Sequence, residues 1–150
     1  SADGLRWFLL NASPDVRSQL GRIPQQTAGG PRHLPIEGVV LTDAELDHTI
    51  GLLLLREGRH VPLYATESVI HVLERDSRFL PVVRAFADAP VTCIPPFAPF
   101  ALTDRNGRPS GLTVEAFPVP GSAPRFASAD GPAFTVGLLI GSTSRAASVR

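Results

Sequence analysis

The sequence of 150 residues has no methionine, no lysine and a single cysteine, Cys93. A lone cysteine excludes an intramolecular disulfide and a metal site built from several cysteines. Without methionine, Ser1 is not expected to be a translation start, and the polar stretch 141–150 shows no apolar periodicity. We therefore expect a piece of a longer protein that ends in a disordered tail over residues 141–150.

An excess of one charge is also missing, because 14 arginines balance 14 acidic residues. This balance gives no electrostatic preference for nucleic acid or for an anionic membrane, so neither is expected as a partner. The sequence contains no apolar run as long as a membrane span and no signal-peptide pattern at its start. We expect one domain in the cytoplasm and leave its oligomeric state open.

Strand and helix patterns alternate along the first two thirds of the chain. Strands are predicted at residues 6–10, 36–41, 61–65 and 91–94, and helices at 15–20, 42–57, 67–74 and 80–87. The Asn-Gly pair at 106–107 predicts a hairpin between strands 100–103 and 112–117, and a last strand is predicted at 134–140. This order is typical of a layered α/β sandwich.

Three carboxylates and a histidine crowd together directly after the strand that ends at Leu41: Asp43, Glu45, Asp47 and His48. One interpretation is structural. Thr42 and Glu45 have the spacing of a capping box at a helix start. The apolar residues that follow, Leu46, Ile50, Leu53 and Leu54, have the spacing of one helix face.

The other interpretation is a metal site. In an extended segment Asp43, Glu45 and Asp47 share one face, and His48 adds a nitrogen ligand. Carboxylates with one imidazole suit iron(II), manganese or magnesium better than zinc. A buried strand that opens into a loop and a helix is also where α/β proteins place their chemistry.

Residues 42–48, Thr-Asp-Ala-Glu-Leu-Asp-His, resemble the metal loop of the metallo-β-lactamase superfamily, whose usual form is His-x-His-x-Asp-His. Asp43 and Glu45 stand where the first two histidines belong, whereas Asp47 and His48 match. This variant resembles the pyrroloquinoline quinone (PQQ) biosynthesis protein B family. Segments 7–17, 61–66 and 117–124 resemble further signatures of that family, in the same order.

The resemblance implies a fold and an activity. The fold is a metallo-β-lactamase-like four-layer αββα sandwich, of which residues 1–150 form an incomplete portion and 5–140 are family-like. The activity is a step in making PQQ, a bacterial redox cofactor built from a glutamate–tyrosine unit, by iron-dependent oxygen insertion on the tyrosine ring. The expected partner is a small-molecule or peptide-derived precursor of PQQ. A carrier or export role and a metal-dependent hydrolase stay open as alternatives.

The resemblance also implies roles for the acidic cluster. Asp47 and His48 are the expected metal ligands, Asp43 is a further ligand, and Asp43 and Glu45 are the expected catalytic bases. The metal is expected to be divalent, iron(II) first and zinc second. Because the distal histidine of the family is missing, the shell is expected to be incomplete. Asn11, Ser13 and Asp15, after the first strand, either line the same pocket or form a helix start capped by Ser13, and the cap is favoured.

Overall fold

The computed structural model describes residues 1–2, 4, 6–23, 36–58, 60–128 and 134–143. In chain order the elements are β1 (Trp7–Leu10), α1 (Val16–Leu20), β2 (Ile36–Val40), α2 (Leu46–Thr49), β3 (Leu63–Ala65), α3 (Glu67–His71), α4 (Phe79–Arg84), β4 (Val91–Cys93), β5 (Phe100–Thr103), β6 (Pro109–Pro118) and β7 (Val136–Ser142). A 3₁₀ segment, Ile50–Gly58, continues α2, and a π-helical turn, Val72–Asp76, continues α3. Within the described ranges, no helix combines the length and apolarity that crossing a bilayer requires.

The strands form two sheets. The first sheet contains β1, β2, β3 and β4 in sequence order, and neighbouring strands are parallel. Each parallel pair needs a crossover connection, because the chain must return to the starting edge of the sheet before the next strand. All four strands therefore end at the same edge. The second sheet is antiparallel, in the order β5, β6, β7.

Alternation along the parallel strands separates two cores. Val39 and Leu63 point to the helices, whereas their neighbours Val40 and Tyr64 point to the second sheet. The buried apolar residues of the helices all lie in the first of these clusters, so the described residues hold one helix layer, the first sheet and the second sheet. These are three successive layers of the predicted four.

The segment after Asp43 differs from its prediction. The α-helix begins only at Leu46 and becomes a 3₁₀ helix at Ile50. Thr49, Leu52 and Leu55 are buried, whereas Leu46 and Ile50 are 51% and 40% exposed. The predicted apolar face was wrong at those two residues. The buried side chains recur at every third position, 49, 52 and 55, as in a 3₁₀ helix with 3.0 residues per turn.

The predicted hairpin is confirmed between β5 and β6, and its turn depends on Asp104. The Oδ1 atom of Asp104 accepts the backbone N–H groups of Asn106 at 2.9 Å and Arg108 at 2.8 Å. Burial by itself would raise the pKa of Asp104, but the N–H bonds from Arg108 and Asn106 and the nearby Arg6 guanidinium hold it below its usual value of 3.8. Gly107 supplies the left-handed turn residue, with φ 78°.

The chain end is ordered further than predicted. β7 continues to Ser142, because Gly141 and Ser142 pair with Thr113 and Leu112 of β6. The tail prediction is therefore wrong for these two residues, whose backbone groups belong to the sheet. Residues 24–35 and 144–150 lie outside the described residues.

Candidate functional site

The acidic cluster lies at the edge where the parallel strands end. Asn11 directly follows β1, Thr42 and Asp43 follow β2, and Thr66 follows β3. Backbone hydrogen bonds continue the sheet to this edge, from the Asn11 N–H to the Val40 carbonyl oxygen at 2.8 Å and from Leu41 to Tyr64 at 2.8 Å. Open α/β sheets bind ligands outside the carboxyl ends of their strands.

Asp43 is the buried member of the cluster, at 4% exposed. Its Oδ1 atom accepts the Glu45 backbone N–H at 3.0 Å, and its Oδ2 atom accepts the Thr42 hydroxyl at 2.7 Å. The His48 Nδ1 atom lies 2.8 Å from both carboxylate oxygens. A buried carboxylate is costly unless it is hydrogen-bonded, and here three groups satisfy it.

His48 faces Asp43 with one nitrogen and leaves the other available. Its side chain is 41% exposed. Within the described residues no hydrogen bond is found to its Nε2 atom, so that nitrogen can take a metal ion or a proton. A histidine that binds metal usually donates its second ring N–H to a carboxylate, which fixes the ring orientation. The Asp43–His48 pair has this geometry.

Glu45 and Asp47 are both exposed. Glu45 is the N-cap residue of α2, its side chain makes no cap bond, and its carbonyl oxygen accepts the Thr49 hydroxyl at 2.8 Å. The capping-box prediction for Thr42 and Glu45 was therefore wrong, because the helix starts later and the Thr42 hydroxyl is bonded to Asp43.

The predicted ligands converge only in part. Among the described residues, no group of three or more histidine, cysteine or acidic side chains is placed to hold a metal ion. Asp47 and His48 are neighbours in α2, so their side chains diverge by about 100° around the helix axis. The ligand roles of Asp43, Asp47 and His48 and the base roles of Asp43 and Glu45 stay predictions. The geometry adds that Asp43 already orients His48.

Two backbone hydrogen bonds join the loop after β1 to the segment that carries His48, and together they form a clamp. The Ala12 N–H donates to the His48 carbonyl oxygen at 2.7 Å, and the Gly51 N–H donates to the Ala12 carbonyl oxygen at 2.8 Å. Asn11 has a left-handed backbone, with φ 61°, which asparagine tolerates better than most residues. The clamp therefore holds the start of α2 against the end of β1.

Ser13 and Asp15, the other polar residues of this loop, bond to each other. The Ser13 hydroxyl donates to the Asp15 carboxylate, and this bond is the main reason that the pKa of Asp15 is lowered. The predicted cap at Ser13 was wrong, since Asp15 takes the N-cap position of α1 without a side-chain cap bond.

Thr66 stands at the N-cap position of α3, but its side chain makes no cap bond. The residue is 2% exposed, and no partner for its hydroxyl is found in the described part of the chain. Thr66 has extended backbone, so the alternation of Leu63, Tyr64 and Ala65 directs its side chain toward the second sheet. An unsatisfied buried hydroxyl at this edge fits a site for a polar ligand.

Comparison with known proteins assigns the fold. A family model described as a beta-lactamase superfamily domain matches residues 6–148. The chain belongs to the beta-lactamase superfamily. The predicted metallo-β-lactamase fold class is thereby confirmed for this superfamily member, and the three described layers belong to its sandwich.

Its relatives confirm the resemblance to the PQQ biosynthesis protein B family. It is 46% identical over 124 residues to the coenzyme PQQ synthesis protein B of Rhodopseudomonas palustris strain TIE-1, covering 81% of the chain and 39% of that relative. With the Gluconobacter oxydans protein of the same name it shares 43% identity over 145 residues, covering 93% and 46%. A crystal structure of zinc-bound PqqB from Methylobacterium extorquens matches with a TM-score of 0.74 and 36% identity, covering 95% of this chain and 47% of that one. The chain thus spans less than half the length of these relatives.

Proposed function

We propose that this chain takes part in the biosynthesis of PQQ, in a step that inserts oxygen into a glutamate–tyrosine-derived precursor and depends on iron. The observation that carries the proposal is the 46% identity, across most of the chain, to a protein named coenzyme PQQ synthesis protein B. The Asp43–His48 pair lies within the segment that resembles the superfamily's metal loop, which supports a metal-dependent role.

A divalent metal fits the residues present as part of a shell. His48 would bind it through Nε2, and Asp43 would keep the imidazole oriented. Asp47, whose side chain leaves the helix about 100° from that of His48, would reach the same ion only by turning its carboxylate back toward Nε2. One imidazole with a carboxylate oxygen, in place of the several histidines of the usual metal loop, favours iron(II) over zinc. Further ligands would have to come from outside the described residues. When bound, iron(II) would supply the binding and activation of dioxygen.

Oxygen insertion requires co-reactants besides the precursor. One dioxygen molecule, two electrons and two protons convert an aromatic C–H bond into a C–OH bond and release one water, so a two-electron reductant is a required co-reactant. The residues of this chain would contribute orientation and proton transfer. Glu45, one of the two expected bases, is exposed and lies within reach of solvent.

The proposal is tested by replacing the protein in a PQQ-producing bacterium that lacks its own protein B. Expression of the full-length protein should restore PQQ, measured by mass spectrometry. His48→Gln removes the proposed ligand itself and should reduce PQQ at least about tenfold, since loss of an orienting partner alone costs about 10–100-fold. His60→Gln is the matched control, because His60 pairs with Asp88, away from this edge of the sheet. Growth under ¹⁸O₂ should label the tyrosine-derived ring. Restored PQQ without the label would disprove the oxygen-insertion step.

A carrier role for PQQ or its precursor is the second candidate. It is favoured by the absence, among the described residues, of three converging metal donors. A carrier predicts that Asp47→Ala and His48→Ala leave both the metal content and the affinity for PQQ unchanged. A metal-dependent oxygenase predicts that both variants lose metal.

A further inference from the structure

The hydrogen bonds between Asn11 and His48 form one chain whose direction can be worked out from groups that can only donate. The Thr42 backbone N–H donates to the Asn11 side chain at 2.9 Å, so the atom facing it must be the carbonyl oxygen Oδ1. The amide nitrogen Nδ2 of Asn11 therefore faces the Thr42 hydroxyl oxygen, also at 2.9 Å, and donates to it.

The Thr42 hydroxyl proton then has two possible acceptors. Asn11 Oδ1 lies 3.2 Å from the hydroxyl oxygen, and Asp43 Oδ2 lies 2.7 Å from it. The carboxylate is both closer and charged, and hydrogen bonds to ionised groups are the stronger ones, so the proton goes to Asp43.

The contacts of Asp43 determine which nitrogen of His48 carries a proton. The Glu45 backbone N–H can only donate to Oδ1, and the Thr42 hydroxyl donates to Oδ2. An ionised carboxylate has acceptors only, so the His48 Nδ1 atom at 2.8 Å must carry a proton. The lone pair of the neutral ring is then on Nε2.

We propose that Asn11 is a positioning residue for His48. Its amide holds the Thr42 hydroxyl with the proton toward Asp43, and together with the Glu45 N–H this holds the carboxylate where it accepts Nδ1–H and presents Nε2. The left-handed backbone of Asn11, with φ 61°, turns the side chain back across the end of β2 and supports the same role. This inference concerns the site of the proposed function, but its main readout is independent of PQQ chemistry.

The experiment is an NMR measurement on the His48 ring in the full-length protein. In mildly alkaline buffer, ¹⁵N spectra should show the Nδ1–H tautomer, whereas free imidazole in water favours Nε2–H. The Nδ1 proton should exchange slowly with solvent. His48→Gln assigns the signals by removing them.

Asn11→Gly removes the amide and keeps a residue that accepts the left-handed backbone. We expect the Nδ1 proton to exchange about tenfold faster, the effect of losing roughly one net hydrogen bond. Thr42→Val should give the same change. This variant retains the bond from the residue 42 N–H to Asn11, so it tests the proposal even if Asn11→Gly does not fold. Thr42→Ser, which keeps the hydroxyl, should restore the wild-type rate. Ser13→Ala is the matched loop control, since Ser13 bonds to Asp15 and Gln19.

A double-mutant cycle separates positioning from a general structural role. If Asn11 acts through Thr42, the double variant Asn11→Gly/Thr42→Val exchanges no faster than Thr42→Val alone. Full additivity, or a folded Asn11→Gly protein whose exchange rate is within twofold of wild type, would overturn the proposal, as would a wild-type Nε2–H tautomer.

Anaerobic titration with Fe²⁺ alone gives a second readout. Asn11→Gly should weaken binding about tenfold, as expected for a group that orients a ligand through another residue. Unchanged Fe²⁺ affinity in a folded Asn11→Gly protein would count against the positioning role. If the wild-type protein binds no Fe²⁺, the proposed function fails, and the tautomer and exchange results alone decide the role of Asn11.

Discussion

Gly51 donates its backbone N–H to the Ala12 carbonyl oxygen at 2.8 Å, and a Cβ atom on Gly51 would lie 2.5 Å from that same oxygen. The Ser13 carbonyl oxygen would be closer still. The helical segment that carries His48 can approach the loop after β1 only because residue 51 has no side chain. The contact that holds the site together therefore depends on a glycine with no chemical role of its own.

Gly51→Ala should destabilise the protein by about 1–3 kcal/mol, the usual cost of forcing an extra methyl group into a packed contact. Because the obstacle is backbone, the loop or the helix must move. Urea unfolding measures the free energy. Gly21→Ala is the matched control: Gly21 has φ −63°, and a Cβ there would meet its nearest atom at an ordinary 3.5 Å. Equal effects of the two substitutions would contradict the tight contact at Gly51.

Thr66→Val should raise the free energy of unfolding by about 1 kcal/mol, because it replaces an unsatisfied buried hydroxyl with a methyl group of similar size. Thr66→Ser keeps the hydroxyl and loses the methyl group, so it should destabilise. Thermal and urea unfolding distinguish these outcomes. A loss of stability in Thr66→Val would mean that the hydroxyl has a partner in the full-length protein beyond the described residues.

Acid should destabilise the hairpin through Asp104. Its folded-state pKa is below the usual 3.8, so the unfolded chain binds more protons at low pH. The contribution of this carboxylate is fully present above pH 3.8 and is lost as the pH falls through the lower folded-state value. Asp104→Asn should reduce the difference between urea midpoints measured at about pH 5 and about pH 3. An unchanged difference would show that another group is responsible.

Metal content should depend on the Asp43–His48 pair. Asp43→Asn should weaken Fe²⁺ binding about 10–100-fold, the range for losing a carboxylate that orients a metal-bound histidine. His48→Gln should abolish it, whereas His71→Gln should bind as wild type, because the His71 ring faces Asp76 and not Asp43. Elemental analysis after anaerobic purification measures all three. Normal metal content in His48→Gln would remove His48 from the ligand set.

Much of the fold follows from local pattern. The strand predicted at 36–41 contains the continuous apolar run Val39, Val40, Leu41, which is typical of a strand covered on both faces, and the structure buries all three residues. The Asn-Gly pair at 106–107 predicted the β5–β6 hairpin, because the turn needs a residue that accepts positive φ. Such features depend on neighbours in sequence and are therefore readable from it.

The predictions that were wrong also share a cause. The helix predicted from residue 42 depended on the spacing of Leu46 and Ile50, but the segment is a 3₁₀ helix from Ile50 onward, is hydrogen-bonded to the loop after β1 and buries a different face. No local pattern reports that contact. Capping rules assigned the hydroxyls of Thr42 and Ser13 to helix starts, whereas the Thr42 hydroxyl is bonded to Asp43 and the Ser13 hydroxyl to Asp15.

The sequence by itself determined the superfamily, the order of the elements and the cluster Asp43, Glu45, Asp47 and His48, because motifs and periodicity are properties of neighbouring residues. Only the tertiary structure decided how the cluster divides. It buried Asp43, left Glu45 and Asp47 exposed, and turned one nitrogen of His48 to a carboxylate that Thr42 and Asn11 support. The last link joins residues 31 positions apart in sequence. It exists because parallel strands end at a common edge, where side chains distant in sequence come within hydrogen-bonding distance.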